Sequence, residues 1–288
     1  MEEAKKVFEE LVNENLHSDN LLTRKFLRPY YNLLNKKKNK LKFYKYCNAE
    51  YYAIRNIEKN TLAFKKCSEF NDPFEGTTLA FNEEDKEYLN IIRDSAVITC
   101  VSENKNDLLM FAHYADSYKG FCMEYDLNLL DKDIYERITP FLFPVIYSHA
   151  PEVLKFKDKL GEDIKNHIKA MEEDKLSLAK LDDIMSYFFH KANVWEYENE
   201  WRFIVPRDQY RNVFGIDDNI DRNVILFKDF DCLSSIYLGL KMPSDKREHI
   251  SEIVCRLNAK RTTKRKIKLF DISLNEKEYR LDETEVIL

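Results

Sequence analysis

Short runs of apolar, β-branched and aromatic residues recur along this chain, and several follow one another with no crossover helix between them. "LKFYKYC" (41–47), "TLAFKK" (61–66), "SAVITCVS" (95–102) and "FCMEYDL" (121–127) read as strands, as do "FLFPVIYS" (141–148), "LSSIYLGL" (233–240) and "KIKLFDISL" (266–274). Parallel neighbours need connections of a dozen or more residues, usually helical. The spacing therefore predicts an α+β fold with mixed, largely antiparallel sheets and flanking helices, rather than a doubly wound parallel sheet. Helices are expected after Asn48 as a cap, over 106–120 and over 244–259, while the Asn-Asp-Pro turn makes "EFNDPFEG" (69–76) a loop. Residues 151–193 read as mostly helical and highly charged.

Ahead of the first strand, Ala4, Val7, Phe8, Leu11 and Val12 repeat at helical spacing, and a second helical segment runs from Leu21 to Leu34. The division expected is an N-terminal helical appendage over 1–40 and an α+β catalytic-like domain over 41–288. The run "KKKNKLK" (36–42) between them suits either a solvated linker or a contact for phosphates.

Composition excludes several function classes. Hydrophobic residues are 44% and charged residues 34% of the 288, as in a soluble globular protein. Five glycines, with no Rossmann fingerprint or P-loop among them, leave no glycine-rich phosphate cradle. The net charge of −5 confines any nucleic-acid contact to local patches. Six scattered cysteines show neither zinc-ligand spacing nor disulfide density, so no metal is expected, and buried thiols in a reducing cytosol are. No run approaches the roughly 20 apolar residues of a membrane span, which predicts a cytoplasmic protein with no membrane partner.

Four stretches place polar residues inside strongly apolar sequence: "FYKY" (43–46), "FNDPFEG" (70–76), the segment 100–126, and "WEYENEWRFIV" (195–205). His113 and Tyr114 follow an apolar run on one helix. They suit a packed histidine beside a core stripe as well as a ligand-contacting pair. Asn71 and Asp72 either cap their turn or line a binding loop pinned by Phe70 and Phe74. If 195–205 is one strand, Trp195, Tyr197, Trp201, Phe203 and Val205 share a face, and Glu196, Glu198, Glu200 and Arg202 line the other. Three carboxylates in line repel, with only Arg202 near to relieve them, so the face is either merely wet or built for a cationic ligand or a developing positive charge.

Taken together, "YKY", "FNDPFE", the "C-x-S" strand leading to "LLMFAHYAD…KGF", and "YENEWRF" resemble the bacterial family catalogued as domain of unknown function 2971, over roughly 41–280. That family has members in abortive-infection and phage-defence settings. The order of these motifs is also similar to the ADP-ribosyltransferase fold, which implies NAD as cofactor and a catalytic glutamate opening a late strand. By that resemblance "NEWRFIV" points to Glu200 as the catalytic residue, with Glu198 beside it and Tyr114 stacking on nicotinamide. Tyr44 and Lys45 take the first-strand position, where the family commonly has a histidine. Asn71, Asp72, Ser102, His113 and Arg202 complete the implied cofactor contacts. Cleaving the nicotinamide–ribose bond develops an oxocarbenium-like charge that a fixed carboxylate stabilises. Lys45 or Arg202 would hold the pyrophosphate.

The resulting expectation is a toxin or defence effector that transfers ADP-ribose to RNA, DNA or protein, with a possible antitoxin or defence partner. Two alternatives stand beside it. One is a non-enzymatic sensor or nucleic-acid-binding module using the basic stretches 36–45 and 260–268. The other is a metal-dependent nuclease built on Asp72, Glu75 and Glu200. Glu200, nearest the "FIV" run, is expected to be the most desolvated of the three glutamates, and Glu196 and Glu198 the more hydrated.

Overall fold

The structure is a computed structural model that describes residues 1–16, 24–36, 41–72, 74, 93, 96–149, 188–206, 225–227, 231–262 and 265–288. Its elements in chain order are α1 (Glu2–Leu16), α2 (Arg28–Lys36), β1 (Lys42–Cys47), α3 (Tyr51–Lys59), β2 (Leu62–Lys66), β3 (Ala96–Ser102), α4 (Leu108–Tyr114), β4 (Phe121–Asp126) and α5 (Lys132–Ile138). They continue with β5 (Leu142–Pro144), β6 (Ile146–Ser148), β7 (His190–Ala192), β8 (Glu200–Pro206), β9 (Ile225–Phe227), β10 (Leu233–Leu238), α6 (Ser244–Asn258), β11 (Lys268–Leu274) and β12 (Leu281–Val286).

Ten strands form one sheet in the order β12-β11-β10-β4-β1-β3-β2-β9, with β8 also paired to β3 and β5 to β8. Among the described pairs of this sheet only β10–β11 is parallel, and a separate parallel pair joins β6 to β7. The fold is α+β and the sheet mixed and mostly antiparallel, as the spacing of the apolar runs predicts. No described helix is long and apolar enough to cross a membrane.

Register decides which side chains meet. Directly opposed residues of an antiparallel ladder project to the same side. Tyr44 opposes Ser102, which opposes Glu200, and Cys100 opposes Arg202. Tyr44 also opposes Glu124. These six therefore share one face, which α4 covers by packing the Phe111 ring edge-on against Tyr46, centroids 5.1 Å apart. Phe43, Lys45, Val101 and Trp201 point the other way, and the Phe43 and Trp201 rings meet at 5.4 Å. The buried Ile54 and Ile57 of α3 and Ile250, Ile253 and Val254 of α6 belong to the main core. So do Phe8 and Tyr30 of the two N-terminal helices, with Phe8 4.9 Å from both Tyr30 and Phe189. Each such buried ring is worth roughly 1.5–3 kcal/mol of transfer free energy.

Several local readings change. The helix after Asn48 starts at Tyr51 with Glu50 at its N-cap, while Asn48 Oδ1 accepts from the Glu50 amide at 3.4 Å. The strand expected over 141–148 is two short ones, broken at Val145, whose N–H donates to the Glu200 carbonyl at 3.0 Å. The acidic edge strand β12 has no counterpart in the sequence reading. The lysines at 37, 38 and 40, most of the 69–95 region including Glu75, and the charged segment 151–187 lie outside the described residues.

Candidate active site

The continuous strand read over 195–205 is wrong in its first half. Asn193–Glu198 is a 3-10 helix, Asn199 sits in the left-handed region with φ 48°, and β8 begins at Glu200. Asn tolerates that conformation better than most residues. Alternation with its neighbours is thereby lost. Glu196 is exposed, whereas Glu198 and Glu200 are each only 3% exposed. Glu198 therefore does not lie at a hydrated entrance, as its place in a regular strand implied.

The turn is pinned from behind. Ser102 Oγ donates to the Glu198 carbonyl at 2.6 Å and accepts the Asn104 N–H at 2.8 Å. Asn104 Nδ2 donates to the Tyr197 carbonyl at 2.6 Å. Ser102 was expected to touch a cofactor, but its hydroxyl is taken up by this scaffold.

Lys191 of β7 relieves the acidic pair, a residue that no strand periodicity connects with it. Its Nζ lies 2.5 Å from Glu198 Oε2 and 2.9 Å from Glu200 Oε2. It also lies 5.0 Å from the centre of the Trp195 ring, a cation–π distance. Arg202 grips Glu200 with two donors, Nε to Oε1 at 2.8 Å and Nη2 to Oε2 at 3.3 Å, and donates Nη1 to the Phe188 carbonyl at 2.7 Å. The Glu200 N–H donates to the Tyr147 hydroxyl at 2.8 Å. The crowding thus carries its own cations and calls for no cationic ligand.

The two carboxylates consequently differ. Burial raises both, but at Glu200 the Arg202 and Lys191 charges win and hold it well below the usual carboxylate range. At Glu198 burial and the adjacent Glu200 carboxylate outweigh Lys191, and its pKa is pushed up to about 7. Neighbouring groups driven apart in this way are what acid–base chemistry near neutral pH requires.

Glu198 is also the carboxylate that faces the loop and α4. The Tyr114 hydroxyl donates to Glu198 Oε1, and the exposed Asn71 side chain lies near enough to that hydroxyl to favour its charged form. Burial is the largest cause of a raised Tyr114 pKa, so the phenol stays neutral. Next to Asn71, the Phe70 ring lies 5.9 Å from the Arg202 guanidinium carbon. At the exposed rim His113 Nδ1 is 2.7 Å from the Tyr197 hydroxyl, and the Trp195 and Tyr197 rings are 6.2 Å apart.

Of the residues singled out in the sequence, Tyr114, Glu198, Glu200 and Arg202 form one network bridged by Lys191, with Asn71 and His113 at its edge. Lys45 is not part of it. Its Nζ donates to Thr99 Oγ1 at 2.9 Å and to the Cys100 carbonyl at 3.0 Å, on the face opposite Glu200. Tyr44 shares the Glu200 face but belongs to a second polar cluster. There it lies beside Glu124, which accepts from Tyr237 at 2.7 Å and Ser234 at 2.8 Å and pairs with Lys42 at 2.9 Å. Neither Lys45 nor Arg202 is available to hold a pyrophosphate.

Two further groups stand out: His190, which the sequence does not single out, and Asp72, which it does. Burial, with Arg202 nearby, lowers His190 to about 4, and neither ring nitrogen has a hydrogen-bond partner. The buried Asp72 accepts the Phe74 N–H on Oδ1 at 2.9 Å while its Oδ2 has no partner.

The two alternative chemistries lose ground here. A metal on Glu200 would have to displace Arg202 and Lys191 from both carboxylate oxygens. In the basic stretch 260–268, Arg261 is held by Asp231 and by the Leu233 carbonyl at 3.0 Å, and Arg265 by Asp131 at 3.0 Å. These two arginines are structural ties rather than a free phosphate grip.

The sequence profile of a family described as proteins of unknown function (DUF2971) matches residues 110–203. That span runs from α4 into β8 and contains Tyr114, Lys191, Glu198, Glu200 and Arg202. No curated protein and no solved structure matches the chain.

Proposed function

We propose that the chain is an NAD-dependent ADP-ribosyltransferase-like enzyme acting on a macromolecular acceptor, with Glu198 rather than Glu200 as the catalytic carboxylate. The observation that carries this reading is the unequal pair. Glu198 is poised at about 7 and touches the Tyr114 hydroxyl, while Glu200 is locked behind it by Arg202 and Lys191.

The fit of NAD divides into two halves. A buried carboxylate, the Tyr114 phenol and the aromatic rim of Trp195 and Tyr197 suit the ribosyl–nicotinamide half. For the pyrophosphate, the cations named from the sequence are taken up elsewhere, so the chain's hold on the molecule is expected to centre on the nicotinamide end. When bound, NAD supplies an electrophilic ribosyl carbon and a neutral leaving group.

The chain's own residues then have separable tasks. Glu198, partly ionised near pH 7, accepts the proton that the acceptor's nucleophile gives up. Lys191 and Glu200 set its proton affinity from opposite directions. Tyr114 fixes the carboxylate's orientation by its hydrogen bond. Arg202 keeps Glu200 ionised, and with it the field that Glu198 feels.

Incubation with NAD at pH 7, with RNA, DNA or protein present as acceptor, is expected to release nicotinamide. Glu198→Gln preserves shape and removes the proton-accepting charge, so release should fall about 100-fold or more, the usual scale of general acid–base catalysis. Wild-type rates in Glu198→Gln, or no release with any acceptor, contradict the reading.

A further inference from the structure

Among the described residues, Asp72 Oδ2 is the one buried carboxylate oxygen without a hydrogen-bond partner. Asp72 is 3% exposed, and Oδ1 closes the turn by accepting the Phe74 N–H at 2.9 Å. Oδ2 is buried and has no donor. An ionised carboxylate is an acceptor only, and leaving one of its oxygens buried and unpaired is costly. Such an atom in a native fold calls for an explanation.

Its surroundings supply one. The preceding residue, Asn71, lies near the Tyr114 hydroxyl, which donates to Glu198. One residue earlier, the Phe70 ring lies over the Arg202 guanidinium. Phe70 and Asn71 thus lie beside the Glu198 network, and the orphan acceptor is on the next residue of the chain.

We propose that Asp72 is the specificity-determining residue of this site, its Oδ2 accepting a hydrogen bond from the N–H of a planar carboxamide on the substrate, the carboxamide of nicotinamide. This inference rests on the transferase reading above and names the part of the substrate that is recognised. A carboxamide on a flat ring supplies the donor that Oδ2 lacks while the ring remains free to lie against Tyr114. Because Lys191 and Arg202 are paired with Glu198 and Glu200, recognition through this neutral group needs no free cation from either.

Asp72→Asn is the informative substitution. The Phe74 N–H selects the carbonyl oxygen at the Oδ1 position, so the turn survives and an NH₂ donor replaces Oδ2. Donor then faces donor. Calorimetric titration of wild type and Asp72→Asn with nicotinamide is expected to show binding weakened about tenfold to hundredfold in the variant, with no fall in melting temperature. ADP-ribose, which lacks the carboxamide, should bind both proteins equally, and so should agmatine, a guanidinium probe.

Equal nicotinamide affinity in the two proteins overturns the inference, since Oδ2 then takes no part in holding the carboxamide. Absence of nicotinamide binding to wild type overturns it too, as does Asp72-dependent binding of agmatine in place of nicotinamide. The titration needs no turnover. Asp72-dependent nicotinamide binding without NAD cleavage would remove the transferase reading alone, and cleavage with Asp72-independent binding would remove this inference alone.

Discussion

Lys191→Met is expected to destabilise the protein by about 3–5 kcal/mol at pH 8, the usual consequence of deleting one partner from a buried ion-pair network. Lys191 is 6% exposed in its side chain, and each carboxylate it bridges is 4% exposed. Arg202 remains to hold Glu200, so the uncompensated charge falls on Glu198. That group already has a folded pKa raised to about 7, above its ordinary 4.5, and losing Lys191 raises it further. A carboxyl with a raised folded pKa stabilises the fold fully below about pH 4.5, and this contribution is lost as pH rises through the folded value. The deficit of the variant should therefore be small at pH 5 and large at pH 8. Adding Glu198→Gln to Lys191→Met should recover part of the loss at pH 8. Urea unfolding at the two pH values reads this directly. A deficit below about 1 kcal/mol at pH 8, or one independent of pH, contradicts the assignment of Lys191 as the cation that balances the pair.

Gly239→Ala tests the scaffold that presents Tyr114. A Cβ on Gly239 would stand 2.2 Å from the Tyr118 carbonyl oxygen and 2.6 Å from that of Gly120. Both are backbone atoms and cannot rotate away. The contact is a built crossing, since the Gly239 N–H donates to the Gly120 carbonyl at 2.9 Å and the Lys241 N–H to the Tyr118 carbonyl at 3.0 Å. On the other side of it, Asp116, Ser117 and Tyr118 all have positive φ, in the turn that ends α4 just after Tyr114. Overpacking commonly costs about 1–3 kcal/mol, and rigid backbone on the receiving side puts this case at about 3 kcal/mol or more. The expected result is a protein that fails to accumulate folded, or one with a melting temperature lowered by many degrees. A variant as stable as wild type would mean that the crossing is looser than described.

The sequence carried the fold further than the site. Runs such as "SAVITCVS" and "FCMEYDL" announce β3 and β4 because both are buried on two faces and lack polar alternation. The edge strand "LDETEV" does not announce itself. Exposed and acidic, it has the composition of a loop, and only its ladder with β11 makes it a strand. The β6–β7 pair is illegible for another reason, since Ile146 and His190 are far apart in the chain and nothing local records their pairing.

At the site, period two in "WEYENEW" suggested one strand. A 3-10 turn and a left-handed Asn199 accommodate the same letters while burying two glutamates and exposing the third. The distinction lies in tertiary contacts, the Ser102 and Asn104 bonds to the turn, which no window of residues contains. The pairing of Lys191 with Glu198 and Glu200 depends on where β7 lies, and the side of β1 that Lys45 takes depends on the register with β3. The "FNDPFE" loop and Tyr114 were legible for a physical reason. Asn-Asp-Pro marks a turn by its residue types alone, although Phe74 beside it is 60% exposed rather than pinned by burial.

The central claim is that two neighbouring buried carboxyls divide into a proton carrier and a permanently ionised partner. Carbon-13 NMR of the side-chain carboxyl groups, titrated from pH 4 to 9, measures it without any substrate. One resonance should titrate near pH 7 and vanish in Glu198→Gln, while the Glu200 resonance, identified by its loss in Glu200→Gln, stays ionised across the range. If both carboxyls titrate together between pH 4 and 5, or if the group near neutrality is Glu200, the division of roles drawn here is wrong.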